Sequence, residues 1–266
     1  MKISNEQIDG GKAFDWGRVS ADYARYRDIY PAVFYEKIAA RNLCTNGQQV
    51  LDLGTGTGVL PRNMYPYGAR WTGVDISDQQ IVKARQMALA LGQDISFQAL
   101  PAEELDFPEH SFDVVTACQC FWYFDHKKLL PKLARLLKQG GRLLVLYMAW
   151  LPLEDPIAAA SERLVLQYSP HWSGANETMH PIEAPACMWE WFDAEHREEY
   201  RVDVPFTRES WNGRMKACRG VGASLTPEET AAWEAEHKKL LEEIAPEQFT
   251  IRHYAAMLVC RRKEQP

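Results

Sequence analysis

The segment VLDLGTGTG, residues 50–58, limits most strongly what this chain of 266 residues can fold into. Its first half is apolar and typical of a buried strand, and a helical pattern begins directly after it at Val59. The glycines between strand and helix permit positive φ in a tight turn and let a ligand approach the backbone. Open α/β sheets bind their ligands at loops of this kind, at the carboxyl ends of strands. The segment therefore predicts an α/β fold with a binding site after its first strand.

Short apolar runs alternate with amphipathic stretches through most of the chain. Strands are predicted at residues 48–53, 69–76, 94–100, 112–120, 142–150, 200–206 and 248–262, and helices at residues 59–65, 79–91, 129–141 and 227–244. Continuous apolar runs are typical of parallel strands that are covered on both faces. The pattern predicts a Rossmann-like, seven-stranded, mostly parallel sheet with helices on both faces. The last run is long and apolar, so we expect its strand inside the sheet.

Changes in composition divide the chain into four predicted parts. Residues 1–41 are predicted to form a helical lid, and residues 42–150 a ligand-binding core. Residues 151–198 are rich in Pro, Trp, His and Glu, and they are predicted to be a cap inserted after the fifth strand. Residues 199–266 are predicted to supply the strands and the helix that complete the sheet.

The amino-acid composition limits the classes of partner that this protein is expected to bind. The formal net charge of −6 disfavours nucleic acid, because phosphate binding usually needs a basic face. The six cysteines form no CxxC pair and no histidines stand at zinc-finger spacing, so no metal site is predicted. The N-terminal residues lack the apolar run of a signal peptide, and no run reaches the ~18 apolar residues of a membrane span. We expect a cytoplasmic protein that acts on a small molecule, of undetermined oligomeric state.

The residues of the glycine loop indicate which kind of ligand the loop binds. The glycines alternate at Gly54, Gly56 and Gly58, with Thr55 between them, which differs from the G-x-G-x-x-G pattern of dinucleotide-binding loops. Asp52 precedes the glycines by two residues. A carboxylate there would repel a pyrophosphate and would suit an ammonium group. The loop therefore favours the methionine end of S-adenosylmethionine over a dinucleotide.

A second acidic residue stands at the end of the second predicted strand, in the sequence VDIS. The carboxylate of Asp75 is placed to accept hydrogen bonds from both hydroxyls of a ribose. That geometry serves S-adenosylmethionine and nicotinamide dinucleotides alike. The alternative is that Asp75 caps the helix that follows.

Four motifs in this order and spacing resemble those of the class I S-adenosylmethionine-dependent methyltransferases, above all the type 11 small-molecule subgroup. They are LDLGTGTG, GVDIS, FPEHSFDVV and LLKQGGRLLV, and the resemblance covers roughly residues 14–150. It implies that Asp52 meets the amino group of the cofactor and that Asp75 holds the ribose. It also implies that Ile76 packs on the adenine and that Gln119 lies beside the methionine portion.

The chain departs from the family pattern at two positions. Pro101 stands where an Asp often contacts the adenine amino group, which leaves the backbone N–H of Ala102 for the adenine. Glu103 either replaces the missing acceptor or is solvated. Trp122 stands where some relatives have a His near the transferred methyl group, so this motif supplies no histidine base.

The N-terminal sequence YARYRDIYP also resembles the family, in a segment that folds over the cofactor. Tyr23 and Arg27 are four residues apart and share a helical face. The resemblance implies that they bind the cofactor, since an Arg pairs well with its carboxylate. The alternative is a helix packed on the sheet with Arg27 at the surface.

No general base is identified. Tyr123 and His171 are weak candidates, as are His126, His180 and Glu154. Four aromatic residues are candidates for the substrate pocket, where they would suit a flat acceptor or a cation, or else pack the cap: Trp122, Tyr123, Trp150 and Trp172.

The sequence thus predicts a methyltransferase that yields S-adenosylhomocysteine by in-line displacement, mainly through positioning of its substrates. A non-catalytic S-adenosylmethionine-binding sensor or partner protein is the main alternative, and a nicotinamide-dependent oxidoreductase is a weaker one. The sequence does not determine whether the methyl group goes to an O, N, C or S atom, because a fold does not determine a substrate.

Overall fold

A computed structural model describes residues 8–264, which form a seven-stranded sheet with helices. The strands are β1 (Gln49–Leu53), β2 (Arg70–Asp75), β3 (Ser96–Ala99), β4 (Phe112–Cys118), β5 (Leu137–Trp150), β6 (Phe192–Thr207) and β7 (Gln248–Arg262). Their order is β3-β2-β1-β4-β5-β7-β6. The pairings of β1 with β2 and β4, of β2 with β3, and of β4 with β5 are parallel. The order confirms the predicted Rossmann-like sheet, with β7 inside it.

Eight α-helices lie within the described residues. They are α1 (Ser20–Tyr26), α2 (Ala32–Ala39), α3 (Val59–Met64), α4 (Asp78–Ala90), α5 (His126–Leu136), α6 (Pro156–Tyr168), α7 (Arg208–Lys216) and α8 (Pro227–Ile244). The predicted helix at residues 227–244 and the strand at residues 248–262 have the bounds observed. The Ser77 side chain accepts a hydrogen bond from Gln80 N, so it caps α4 as a residue of its type commonly does.

Several elements differ from the sequence prediction. Helix α5 ends at Leu136 and β5 begins at Leu137, although a helix was predicted to residue 141, and helix α6 was not predicted. Strand β6 begins at Phe192, well before the predicted Tyr200, in a charged stretch that lacks an apolar run. Because β6 is at an edge of the sheet, it can be polar along most of its length. Helix α7 was not predicted, because its buried residues include the polar Asn212 and Arg214, which hide the apolar periodicity.

The chain forms two compact units. The core unit consists of residues 30–148, 180–200 and 255–264, and it contains β1 to β4 and the glycine loop. The accessory unit consists of residues 8–29, 149–179 and 201–254. The roles assigned to the four predicted parts stay predictions, and residues 1–7 and 265–266 of those parts lie outside the described residues. Between residues 8 and 264, no helix has both the length and the apolar character that crossing a membrane requires.

A buried polar network joins three helices of the accessory unit. Trp211 Nε1 on α7 donates to Ser161 Oγ on α6 at 2.9 Å. The ring nitrogens of His237 on α8 lie 2.9 Å from Asn212 Oδ1 and from Ser161 Oγ. Burial lowers the pKa of His237 to about 3, so the ring is neutral. The network therefore holds α6, α7 and α8 together without a buried charge.

Candidate cofactor site

The loop after β1 is built on glycines in the left-handed region. Gly54, Gly56 and Gly58 have φ values of +56°, +56° and +74°. Residues with a Cβ atom avoid this region at a cost of about 1–2 kcal/mol each. Thr55, between the glycines, is buried, and its backbone N–H donates to Val74 O at 2.9 Å. The alternating glycines thus occupy the three left-handed positions of a loop that is bonded to β2 through Thr55.

The loop is also packed closely against its neighbours in the core unit. A Cβ atom at Gly54 would lie 2.8 Å from Cys120 Cβ, and one at Gly58 would lie 2.8 Å from Phe97 Cζ. The Cys120 thiol donates to Leu53 O at 3.1 Å, and burial raises its pKa well above the usual range. The thiol therefore stays protonated, and its hydrogen bond to Leu53 O helps to hold the loop.

Gly58→Ala is expected to lower the free energy of unfolding by about 2–5 kcal/mol. The change adds left-handed strain of about 1–2 kcal/mol and an overpacking cost of about 1–3 kcal/mol against Phe97. Urea denaturation measures the loss. Gly92→Ala is the matched control, because Gly92 has a φ of +64° but no atom within 4 Å of its added Cβ. Equal losses in the two variants would contradict the packing argument.

Asp75 ties the loop to the end of β2. Its Oδ2 accepts from Gly56 N at 2.9 Å, and its Oδ1 accepts from Ser77 N at 2.8 Å. Burial raises its pKa, and the two amides oppose that effect. Because Ser77 provides the cap of α4, the alternative in which Asp75 caps this helix is wrong. Ile76, next to it, is half-buried.

Asp52 is a buried carboxylate beneath the loop, with an exposed fraction of 2%. Thr116 Oγ1, on the neighbouring β4, donates to Asp52 Oδ1 at 2.5 Å. Burial raises the pKa of Asp52 to about 7, although the Thr116 hydrogen bond opposes this, and the charge of Asp75 adds to the rise. Any cation brought to this carboxylate would stabilise its charged form. Sequence reasoning missed Thr116, although a polar residue within an apolar strand was a usable signal.

The segment after β3 lies beside Asp75. Ala99 is paired with Asp75, and Leu100 N donates to Asp75 O at 3.0 Å. Ala102 is buried at the start of a 3₁₀ turn. The side chain of Glu103 accepts a hydrogen bond from Asp125 N at 2.8 Å. Glu103 is therefore engaged at the start of α5, an arrangement that neither sequence interpretation anticipated.

Gln119 follows β4 in a left-handed conformation, with a φ of +65°. Its backbone N–H donates to Leu146 O at 2.9 Å, and its side-chain amide donates to Met148 O. A left-handed residue with a side chain is uncommon and marks a position where the surroundings fix the backbone. Gln119 thereby fixes the carboxyl ends of β4 and β5 relative to each other.

The substrate-pocket candidates divide between the two units. Trp122 and Tyr123 lie in a 3₁₀ turn of the core unit directly after β4, and Trp122 is 36% exposed. Trp150 and Trp172 belong to the accessory unit, where both are buried and their ring centroids lie 6.3 Å apart. Trp150 Nε1 donates to the buried Glu162 at 2.5 Å.

Tyr23, Arg27 and His171 also belong to the accessory unit. The guanidinium carbon of Arg27 lies 4.7 Å from the centre of the Tyr23 ring, as their shared helical face predicts. His171 is exposed. The roles of all three stay predictions.

Two further candidates for the general base have partners nearby. His126 Nε2 lies 2.9 Å from Phe121 O, and burial lowers the pKa of this ring. Glu154 forms an ion pair with Arg201 at 2.8 Å, which lowers the pKa of the carboxyl. The side chains of His126 and Glu154 are therefore both held by a hydrogen bond or ion pair within their own unit.

Comparison with known proteins finds similarity to methyltransferases. Residues 51–145 match the family model described as methyltransferase domain. A ubiquinone biosynthesis O-methyltransferase of Idiomarina loihiensis is 39% identical over 99 residues, which cover 36% of this chain and 41% of that protein. The uncharacterized methyltransferase YcgJ of Bacillus subtilis is 29% identical over 174 residues, which cover 63% of this chain and 65% of that protein.

The crystal structure of the YcgJ protein superimposes with a TM-score of 0.51 at 23% identity, covering 87% of this chain and 98% of that one. Each of the two sequence matches spans less than two thirds of the relative's own length. The fold is Rossmann-like, and the family model that matches residues 51–145 is a methyltransferase domain. The match of residues 51–145 to a methyltransferase domain agrees with the resemblance seen in the sequence motifs.

Proposed function

We propose that this protein transfers the methyl group of S-adenosylmethionine to a small-molecule acceptor. The observation that carries the proposal is the pair of carboxylates on either side of the glycine loop, of which Asp52 is buried and Asp75 is half-buried. The relatives that are named methyltransferases support it. The charges and hydrogen-bonding groups of Asp52 and Asp75 also suit S-adenosylmethionine.

Asp52 suits the cationic methionine end of the cofactor. A carboxylate with a pKa near 7 is held in an environment that disfavours its charge, and an ammonium group would relieve that cost. A dinucleotide would instead bring a pyrophosphate towards a buried negative charge. The segment 50–58 contains no basic residue that could offset this repulsion.

Asp75 suits the ribose. Each of its oxygens accepts one backbone N–H, from Gly56 and from Ser77. A carboxylate oxygen has a second lone pair, so the two ribose hydroxyls can also donate to it. The same side chain would therefore hold the loop and the cofactor together.

Bound S-adenosylmethionine supplies a methyl group on a sulfonium, and the protein has to align the acceptor with it and exclude water. Positioning of this kind accounts for several kcal/mol of barrier reduction. Gln119 fixes the ends of β4 and β5, and Trp122 and Tyr123 lie in the 3₁₀ turn that follows β4, the strand paired with β1. This part of the core unit is the proposed acceptor side.

Isothermal titration calorimetry tests the cofactor. We expect S-adenosylmethionine and S-adenosylhomocysteine to bind at least ~100-fold more tightly than NAD, because only the former bring a cation to Asp52. Absence of binding by both would overturn the proposal. Binding of S-adenosylmethionine without methyl transfer to any member of a metabolite panel would favour the non-catalytic alternative.

We further propose a cytoplasmic protein whose acceptor is a small molecule and not nucleic acid. None of the six cysteines, which all lie within the described residues, forms a disulfide, and this suits a reducing compartment. The net charge of −6 does not favour a phosphate backbone as partner.

A further inference from the structure

A groove lies in the core unit at the edge of the sheet opposite the glycine loop. Arg142 is paired with Val114 near the start of β4, whereas the glycine loop follows the carboxyl end of β1. The groove has a volume of about 330 Å³, which is at the lower end of the range for sites that hold small organic molecules. We name it the basic groove, and six residues line it: Arg41, Leu43, Arg142, Glu195, His196 and Val259.

The base of the basic groove is apolar. Strands β5, β7 and β6 are neighbours in that order, and they carry Arg142, Val259 and His196. Val259 is 3% exposed and Leu43 is 2% exposed, so both belong to the core of the unit. The arginines and the histidine of the groove are half-buried. A ligand in the groove would therefore meet apolar surface beneath it and polar groups at its sides.

The carboxylates at the basic groove are already paired. Glu195 accepts hydrogen bonds from Nε and Nη2 of Arg142 at 3.0 Å and 3.2 Å. Glu198 accepts from Arg41 Nη2 at 2.9 Å and, through its other oxygen, from Lys37. Three cations thus face two carboxylates, which leaves a positive charge for an anion to balance.

Two hydrogen-bond donors at the groove are unused within residues 8–264. Arg41 donates from Nη2 to Glu198 and to His196, whereas its Nη1 has no acceptor in this part of the chain. Since a guanidinium only donates, His196 Nε2 accepts from Arg41, and the ring hydrogen is on Nδ1. This Nδ1 likewise has no acceptor among the same residues. Donors on a cation bind carboxylate and phosphate oxygens strongly.

We propose that the basic groove binds a small organic anion, either a carboxylate or a phosphate monoester. Arg41 Nη1 and His196 Nδ1 donate to the oxygens of the anion, and its apolar part covers Leu43 and Val259. Inorganic ions leave this apolar base uncovered, and uncharged molecules leave the positive charge unbalanced. The groove is separate from the glycine loop, so its occupancy does not depend on the proposed methyltransferase function.

Nuclear magnetic resonance titrations of the full chain test the groove with four probes: benzoate, phenyl phosphate, inorganic phosphate and benzamide. We expect benzoate or phenyl phosphate to shift the methyl signals of Leu43 and Val259 until they saturate, and to leave the amide signals of the glycine loop in place. Inorganic phosphate lacks the apolar part and benzamide lacks the charge, so each should bind at least ~10-fold more weakly. The tighter of the two organic anions shows which acid group the groove prefers.

Two substitutions test the donors. Arg41→Gln should weaken binding of the tighter organic anion by about 10–150-fold, because it removes a hydrogen bond between charged groups. His196→Phe keeps a ring of similar size without the Nδ1 donor, and it should weaken binding at least ~5-fold. Arg70→Gln is the matched control, because Arg70 is exposed at the start of β2, at the same edge of the sheet but outside the groove. We expect it to change the affinity less than ~2-fold.

Four results would overturn the proposed site. The first is the absence of saturable shifts at Leu43 and Val259 with both organic anions, and the second is equal affinity for benzamide. The third is an equal loss in Arg41→Gln and Arg70→Gln, which would mean that the probes respond to the overall charge. The fourth is a set of shifts confined to the glycine loop. Urea denaturation shows whether Arg41→Gln folds, and if it does not, His196→Phe decides.

Discussion

Asp52→Asn is expected to weaken S-adenosylmethionine binding by about 150-fold or more at pH 8. Removing one partner of a buried ion pair leaves the other charge uncompensated, at a cost of about 3–5 kcal/mol. In this case the ammonium of the ligand would lose the carboxylate beneath the glycine loop. Asparagine keeps the shape of the side chain and can still accept the hydrogen bond from Thr116. Isothermal titration calorimetry measures the change.

The same variant is expected to be more stable than the wild-type protein at high pH. The pKa of Asp52 is about 7 in the fold, against 3.8 for an aspartate side chain surrounded by water, so the fold disfavours the charged form. Its contribution to stability is present at low pH and is lost as the pH rises through 7. The stability advantage of Asp52→Asn should therefore grow by about 3 kcal/mol between pH 5 and pH 8 in urea denaturation.

The ligand control for Asp52→Asn is 5′-methylthioadenosine, which lacks the amino-acid portion. Its affinity should change less than ~3-fold, because no ammonium approaches residue 52. An equal loss for both ligands would mean that the substitution disturbs the loop as a whole. A stability difference that does not depend on pH would contradict the raised pKa.

Asp75→Ala is expected to have the opposite effect on stability. It removes the acceptor of two backbone amides, at Gly56 and Ser77, and should lower the free energy of unfolding by about 2–4 kcal/mol. S-adenosylmethionine and 5′-methylthioadenosine should both bind at least ~100-fold more weakly, since both carry the ribose. Calorimetry and urea denaturation measure the two effects.

Two results would contradict this role of Asp75. The first is unchanged affinity for both nucleosides. The second is unchanged hydrogen exchange at the Gly56 amide, which the carboxylate is expected to protect. Asp75→Asn is the milder variant, because one side-chain oxygen can still accept one of the two amides. It should lie between the wild-type protein and Asp75→Ala in both measurements.

The sequence by itself determined the parts of this protein that depend on neighbouring residues. Gly54, Gly56 and Gly58 permit positive φ, so a tight loop could be predicted from their spacing. Helix α8 has a Thr226 cap and Pro227 in its first turn, and its bounds were predicted correctly. The order of apolar runs was likewise enough to predict the seven-stranded sheet.

Tertiary structure decided which distant side chains meet. Thr116 reaches Asp52 across 64 residues, and the Glu103 side chain bonds to the start of α5 across 22. Trp122 and Tyr147 touch because β4 and β5 are paired in one register, which no local pattern specifies. Backbone preferences act over a few residues, whereas these contacts follow from packing between strands. The sequence therefore predicted the cofactor loop, and only the fold revealed the raised pKa beneath it and the rings beside it.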